Sequence, residues 1–167
     1  IRYQNLYENY FEDYLTEKNL SSDLIWDFQY LALMSQSHKL AGNQRIQPDD
    51  LMDSIEIIHG DNAIPYLSQG KIKVQEIPLA EKRIYLYERA NQFELLSHVP
   101  ETFMWVSPIP QDILERYKLV QRRCDFSGNH FKDMLIYRSG YPFSELERKF
   151  MDLIKKTKNE VSLKQYS

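Results

Sequence analysis

The stretch from Thr102 to Phe126 constrains the fold more than any other part of this chain. Thr102-Phe-Met-Trp-Val106 is rich in aromatic and β-branched residues, which favour extended backbone, and it reads as a strand. Pro108 and Pro110 end that strand, because proline fixes φ and lacks the N–H that a ladder needs. A second strand is expected from Tyr117 to Phe126 and a third from Lys132 to Arg138. The turn signal Ser127-Gly-Asn129 then joins these two as a β-hairpin.

The first half reads as the helical layer that covers such a sheet. Residues 3–18 place Tyr3, Leu6, Tyr7, Tyr10, Phe11 and Tyr14 on one half of a helical wheel. Phenol rings bury area while keeping a polar tip, so this face suits a core edge or a partner surface. From Leu24 to Met34 apolar residues cover almost the whole wheel, which predicts a buried central helix reaching about His38. Pro48, Asp49 and Asp50 suit a helix start, and Leu51, Met52, Ile55 and Ile58 repeat at helical spacing, with His59 in the last turn. Lys71 to Ile77 alternates like a strand, Arg83 to Glu88 reads as another, and Phe93 to Leu96 as a weaker strand or a helical turn. Ser144 with Glu147 forms a capping box that starts a last helix, with Leu146, Phe150, Leu153 and Ile154 as its buried stripe.

These elements define an α+β class: N-terminal helices on a mainly antiparallel sheet of four to five strands, closed by a C-terminal helix. One domain is expected over residues 1–160, with a helical part at 3–60, sheet at 71–138 and closing helix at 144–158. Residues 161–167 are expected to form a flexible tail. The chain starts at Ile1 rather than Met, which suggests an excised domain or a trimmed N-terminus.

Composition narrows the chemistry. No apolar run approaches the ~20 residues of a membrane span. The single cysteine, Cys124, excludes an internal disulfide framework and multi-cysteine metal sites, and fits a cytoplasmic or otherwise reducing compartment. Neither glycine-rich phosphate-binding motif is present, so no cofactor is expected, and the scattered histidines lack metal-ligand spacing. The net charge of −3 conceals an asymmetry: residues 1–70 hold 11 acidic against 4 basic side chains, whereas residues 101–167 hold 12 basic against 9 acidic. Such a dipole can orient a partner, although uneven decoration of a solvated surface produces the same pattern.

Candidate catalytic residues are His59 with Asp61, an imidazole and a carboxylate at a helix exit, and Arg123 with His130 across the predicted turn. An arginine beside Cys124 would lower the thiol pKa, but a small buried hydrophobe is the better reading of that residue. Candidate binding residues are Tyr3, Tyr7, Tyr10 and Tyr14 on the first helix, with Arg122 and Tyr137 on the hairpin. The leading expectation is a non-enzymatic protein-interaction module with a protein partner. The alternative is a hydrolase or nuclease using His59/Asp61 or the Arg123/His130 region. A third is nucleic-acid binding through the basic hairpin, which the pI of about 5.8 disfavours.

Overall fold

The computed structural model describes residues 1–59, 80–88, 90–126 and 128–165, with side chains through residue 161. The span expected as one domain divides into two compact units. One comprises Ile1–Gln29 with Gly128–Ser167, and the other comprises Tyr30–Ser127. The chain therefore passes from the first unit to the second after Gln29 and returns at Gly128.

The first unit is built on a three-stranded antiparallel sheet. Its strands are β1 (Arg2–Gln4), β2 (Leu20–Phe28) and β9 (Phe131–Arg138), with β9 in the centre. Its helices are α1 (Glu8–Glu17) and, by our numbering, α4 (Glu145–Gln165). The β2–β9 register pairs Phe28 with Phe131 and Asp27 with Lys132, and shifts by a bulge between Leu24 and Trp26. On one face of the sheet Tyr3 stacks on Phe11 of α1 at 4.5 Å, so the tyrosine-rich segment does supply core. The expected helix over 3–18 begins later than its apolar pattern. Residues 2–4 form β1 and 5–7 a 3₁₀ turn before α1 starts at Glu8.

The second unit is a six-stranded mixed sheet in the order β4-β8-β3-β7-β5-β6. In chain order these strands are β3 (Leu31–Ser35), β4 (Arg45–Ile46), β5 (Ile55–His59), β6 (Lys82–Leu86), β7 (Thr102–Val106) and β8 (Leu119–Cys124). Helices α2 (Gln92–His98) and α3 (Gln111–Tyr117) lie between strands in sequence. Strand alternation produces two apolar layers. Leu33, Ile57, Met104 and Leu119 pack with Leu96 of α2 and Leu114 of α3. On the other face Ala32, Met34, Phe103 and Cys124 pack with Ile46 and Leu51 from the 41–54 segment.

The α+β class is thus borne out, and β7 falls where its residues predicted. Three local expectations are corrected. The apolar run expected as a central helix is two strands, the half-buried β2 and the fully buried β3, and a strand buried on both faces, as β3 is, also reads as unbroken apolar sequence. The expected helix after Pro48 is a 3₁₀ turn over Pro48–Leu51 followed by β5, so His59 ends a strand and caps no helix. The expected hairpin is absent: β8 belongs to the six-stranded sheet and β9 to the three-stranded one. The predicted strand at 71–77 lies outside the described residues.

The last helix starts as predicted. The Ser144 backbone N–H donates to Glu147 Oε2 at 2.8 Å, and the Glu147 N–H donates to Ser144 Oγ at 3.3 Å. It continues to Gln165, through most of the expected tail. Its expected buried stripe is instead largely exposed, with Leu146, Phe150 and Leu153 at 77%, 59% and 60%.

Candidate functional site

Side chains of unusual polarity gather in the first unit, around the residues where the chain leaves it and returns. Asp27 is the penultimate residue of β2, and His130 immediately precedes β9. Gly128 allows the tight return. Its φ is +85°, which side-chain-bearing residues rarely adopt, and a Cβ there would meet Gln4 Nε2 at 2.9 Å. The Gly128 carbonyl accepts from the His130 N–H at 2.8 Å and from Gln4 Nε2 at 2.6 Å. Asn5 is held beside them, its backbone N–H donating to the His130 carbonyl at 2.9 Å.

These contacts aim three side chains at one another. His130 Nε2 lies 2.7 Å from Asp27 Oδ1, and His130 Nδ1 lies 2.5 Å from Asn5 Nδ2. The charges settle the tautomer. A carboxylate accepts, so Nε2 carries the proton toward Asp27, and the bare Nδ1 then accepts from the Asn5 amide. Asn5 Oδ1 is left buried without a hydrogen-bond partner. An unmatched buried acceptor costs about 1–3 kcal/mol. Turning the amide over would serve only a doubly protonated imidazole and would leave Nδ2 unmatched instead.

A second polar pair flanks this trio. Lys132, the Cα partner of both Tyr3 and Asp27, reaches Glu8 Oε1 at 2.6 Å. That hydrogen bond raises the Lys132 pKa and lowers that of Glu8, to which Tyr3 also donates at 3.3 Å. The half-exposed Asp27 carboxylate, oriented by His130, thus offers an acceptor in the same sheet as a cation fixed by Glu8.

The other residues singled out in the sequence lie elsewhere. His59 and Arg123 belong to the second unit, at the end of β5 and on β8, and Asp61 lies outside the described residues. Arg122 is occupied with its own unit: Nε donates to the Ala41 carbonyl at 2.9 Å, Nη2 to the same oxygen, and Nη1 to the Gln121 carbonyl at 2.8 Å. Tyr137 packs edge-on against Phe143 at 4.8 Å. Tyr3 is buried, Tyr7 and Tyr14 are half-buried, and Tyr10 is 42% exposed. Cys124 is buried, and desolvation pushes its pKa up to about 11, the opposite of an activated thiol. Sequence reasoning missed Asn5 and Asp27; the one available signal was Asp27 interrupting an apolar run.

Among the described residues no group of three or more His, Cys, Asp and Glu gathers to hold a metal, and no helix is long and apolar enough to cross a membrane. No protein-family model matches the sequence. No curated protein matches it either.

Solved structures do resemble the fold. The regulatory domain of MetR, a LysR-family regulator from N. meningitidis, matches with a TM-score of 0.58 at 12% identity, over 86% of this chain and 66% of that one. The Synechocystis CcmR regulatory domain, solved with 2-PG, matches with a TM-score of 0.58 at 16% identity, over 83% of this chain and 67% of that one. The effector-binding domain of QuiR, solved with shikimate, matches with a TM-score of 0.57 at 16% identity, over 86% and 68%. This chain spans about two thirds of the length of the domains it resembles.

These likenesses correct the functional expectation. The solved domains that share the fold are regulatory and effector-binding domains, so the interaction-module reading is overturned, as is the hydrolase or nuclease alternative. Nucleic-acid binding through a basic hairpin fails on topology as well, because β8 and β9 form no hairpin.

Proposed function

We propose that this chain is a ligand-sensing domain of a transcriptional regulator and binds a small polar effector. The observation that carries the reading is the likeness of the fold to effector-binding domains over more than four fifths of the chain. Two of those domains were solved with a small molecule, 2-PG in one and shikimate in the other. DNA recognition would belong to another part of the protein.

Within the first unit the Asn5, Asp27 and His130 trio is our candidate for contacting the effector. The imidazole and carboxylate are half-exposed, and the Asp27 carboxylate, oriented by His130, can accept from the hydroxyl or carboxylic acid proton of an effector. Gln4 and Gly128 hold the trio rigid, which keeps the entropy cost of binding low.

The test is calorimetric titration of the chain with a panel of small hydroxy and phospho acids, including 2-PG and shikimate. We expect saturable binding of at least one compound, lost in Asp27→Ala and His130→Ala variants whose melting curves remain cooperative. If no compound in the panel binds, the sensing role is wrong. If one binds equally well to both variants, the role survives and the trio is the wrong site.

A further inference from the structure

The helix α4 exposes an apolar stripe that its own unit leaves uncovered. At ~100° per residue, Leu146, Phe150 and Leu153 fall within about 60° of the helix circumference. They are the three most exposed large hydrophobic residues of the helix, at 77%, 59% and 60%. The neighbouring side, with Glu147, Met151, Ile154 and Lys158, is less exposed, and α4 contacts β2 of its unit. The stripe therefore lies beside the packed face as a separate surface. Its spacing of four then three residues is that of a two-helix seam.

The charges beside the stripe identify what fits it. Its outer flank carries Glu145, Lys149, Asp152 and Lys156, alternating in sign, with Lys149 Nζ 2.6 Å from Glu145 Oε1. We propose that α4 pairs with α4 of a second copy of this chain, antiparallel about a two-fold axis at Phe150. In that arrangement Phe150 meets Phe150, and Leu146 comes within one residue's rise of Leu153 of the second copy. To within one residue's rise, the same register brings Glu145 beside Lys156 of the second copy and Lys149 beside Asp152 of the second copy. A parallel two-fold pairing would instead set this row against the opposite flank of the second copy, where Met151 and Ile154 offer it no charge. With two acids and two bases in the row, a strongly acidic or strongly basic partner gains nothing, whereas the row complements itself when reversed. A two-fold contact uses the same patch on both subunits, so one stripe suffices. Three large exposed hydrophobic side chains on one narrow face of a helix form a surface suited to a partner.

The test is sedimentation equilibrium of the full chain with three sets of variants. The wild type should dimerise at micromolar concentration, and Phe150→Glu should weaken the dimer by at least ~100-fold, as removal of a central anchor does. Because Phe150 is exposed in the single chain, the thermal melt of that variant should stay cooperative. Lys149→Glu and Asp152→Lys should each weaken the dimer, and the double exchange should restore it. Phe150→Cys should form a covalent dimer on mild oxidation, since Cys124 is buried, while Tyr87→Cys, at a residue 77% exposed in the other unit, should not. A wild type that stays monomeric at high micromolar concentration overturns the proposal, and the stripe then belongs to another part of a longer protein or to a different protein. A dimer that Phe150→Glu leaves intact, or a double exchange that fails to restore association, overturns it too.

Discussion

Two apolar patterns in the chain meet opposite fates. Leu31-Ala-Leu-Met34 begins β3, where all five residues are buried, while Leu146, Phe150 and Leu153 of α4 stand in solvent. The residue types hardly differ, so hydrophobicity does not decide the outcome. Neighbours do. β3 has β8 on one edge and β7 on the other, with α2 and α3 residues on one face and Ile46 and Leu51 on the other. The α4 stripe has its own unit on one side only. An apolar run therefore specifies that a surface must be covered without specifying by what.

The largest test of this contrast is Phe103→Ala in β7, the Cα partner of Met34 in β3. Phe103 is fully buried and meets the Trp105 ring edge-on at 5.6 Å. Its truncation leaves a cavity between close-packed neighbours and should cost about 3–5 kcal/mol. The denaturant midpoint of the cooperative transition measures this, and a loss below about 1 kcal/mol would show the second unit to be looser than its burial implies.

The second test concerns a polar group that the same core has taken in. His38 is 4% exposed; its Nδ1 accepts from the Leu40 N–H at 3.1 Å, and Nε2 faces Ser54 Oγ at 3.3 Å. Both contacts suit the neutral ring. Burial, and secondarily the Lys39 charge, lowers its pKa below the ordinary 6.5. The folded state thus resists a proton that the unfolded chain accepts at pH 6.5. Stability is complete above that pH and falls as pH drops below it, until the depressed folded value is passed. Replacing the ring, as in His38→Asn, should flatten the acid limb of the stability curve. An unchanged slope between pH 6.5 and the acid end would remove His38 as its cause.

What could be read in the sequence was local. The β7 composition and the Ser144/Glu147 capping box each depend on a few adjacent residues, and both are present. The apolar run over β2 and β3 does not separate strand from helix, because a strand covered on both faces, as β3 is, shares its signature with a buried helix. Ser127-Gly128 carries turn chemistry, but a turn cannot state which sheet its flanks join. The proline connection reads as a strand stop in preference to a stiff binding loop. Pro110 also precedes α3, whose Asp112 and Arg116 suit its two ends. At the candidate site His130 was visible, whereas its partner Asn5 lies 125 residues away, beyond any spacing rule.

A smaller effect is expected at the start of α4, where stability is local and not shared with a core. Ser144→Ala removes the acceptor for the Glu147 N–H and the hydroxyl that donates to Glu147 Oε2 at 2.7 Å. The cost should be about 1 kcal/mol, typical of a lost N-cap. Part of the cap remains, because the residue-144 backbone N–H can still reach the Glu147 carboxylate. Helix content by circular dichroism should fall at the first turn while the core signal stays. A loss as large as that of Phe103→Ala would mean that α4 is a pillar of its unit.

The smallest effect is the most discriminating. Phe150→Ala deletes a ring as large as that of Phe103, yet in the single chain that ring is 59% exposed and leaves little cavity when removed. Measured at dilutions where only the monomer is present, its cost should stay within about 0.5 kcal/mol. At concentrations that favour the dimer, the same substitution should lower the apparent stability, because association stabilises the folded chain by mass action. A cost that depends on concentration assigns the stripe to a second copy. A large cost at every dilution would place Phe150 in the unit's own core and erase the contrast with β3.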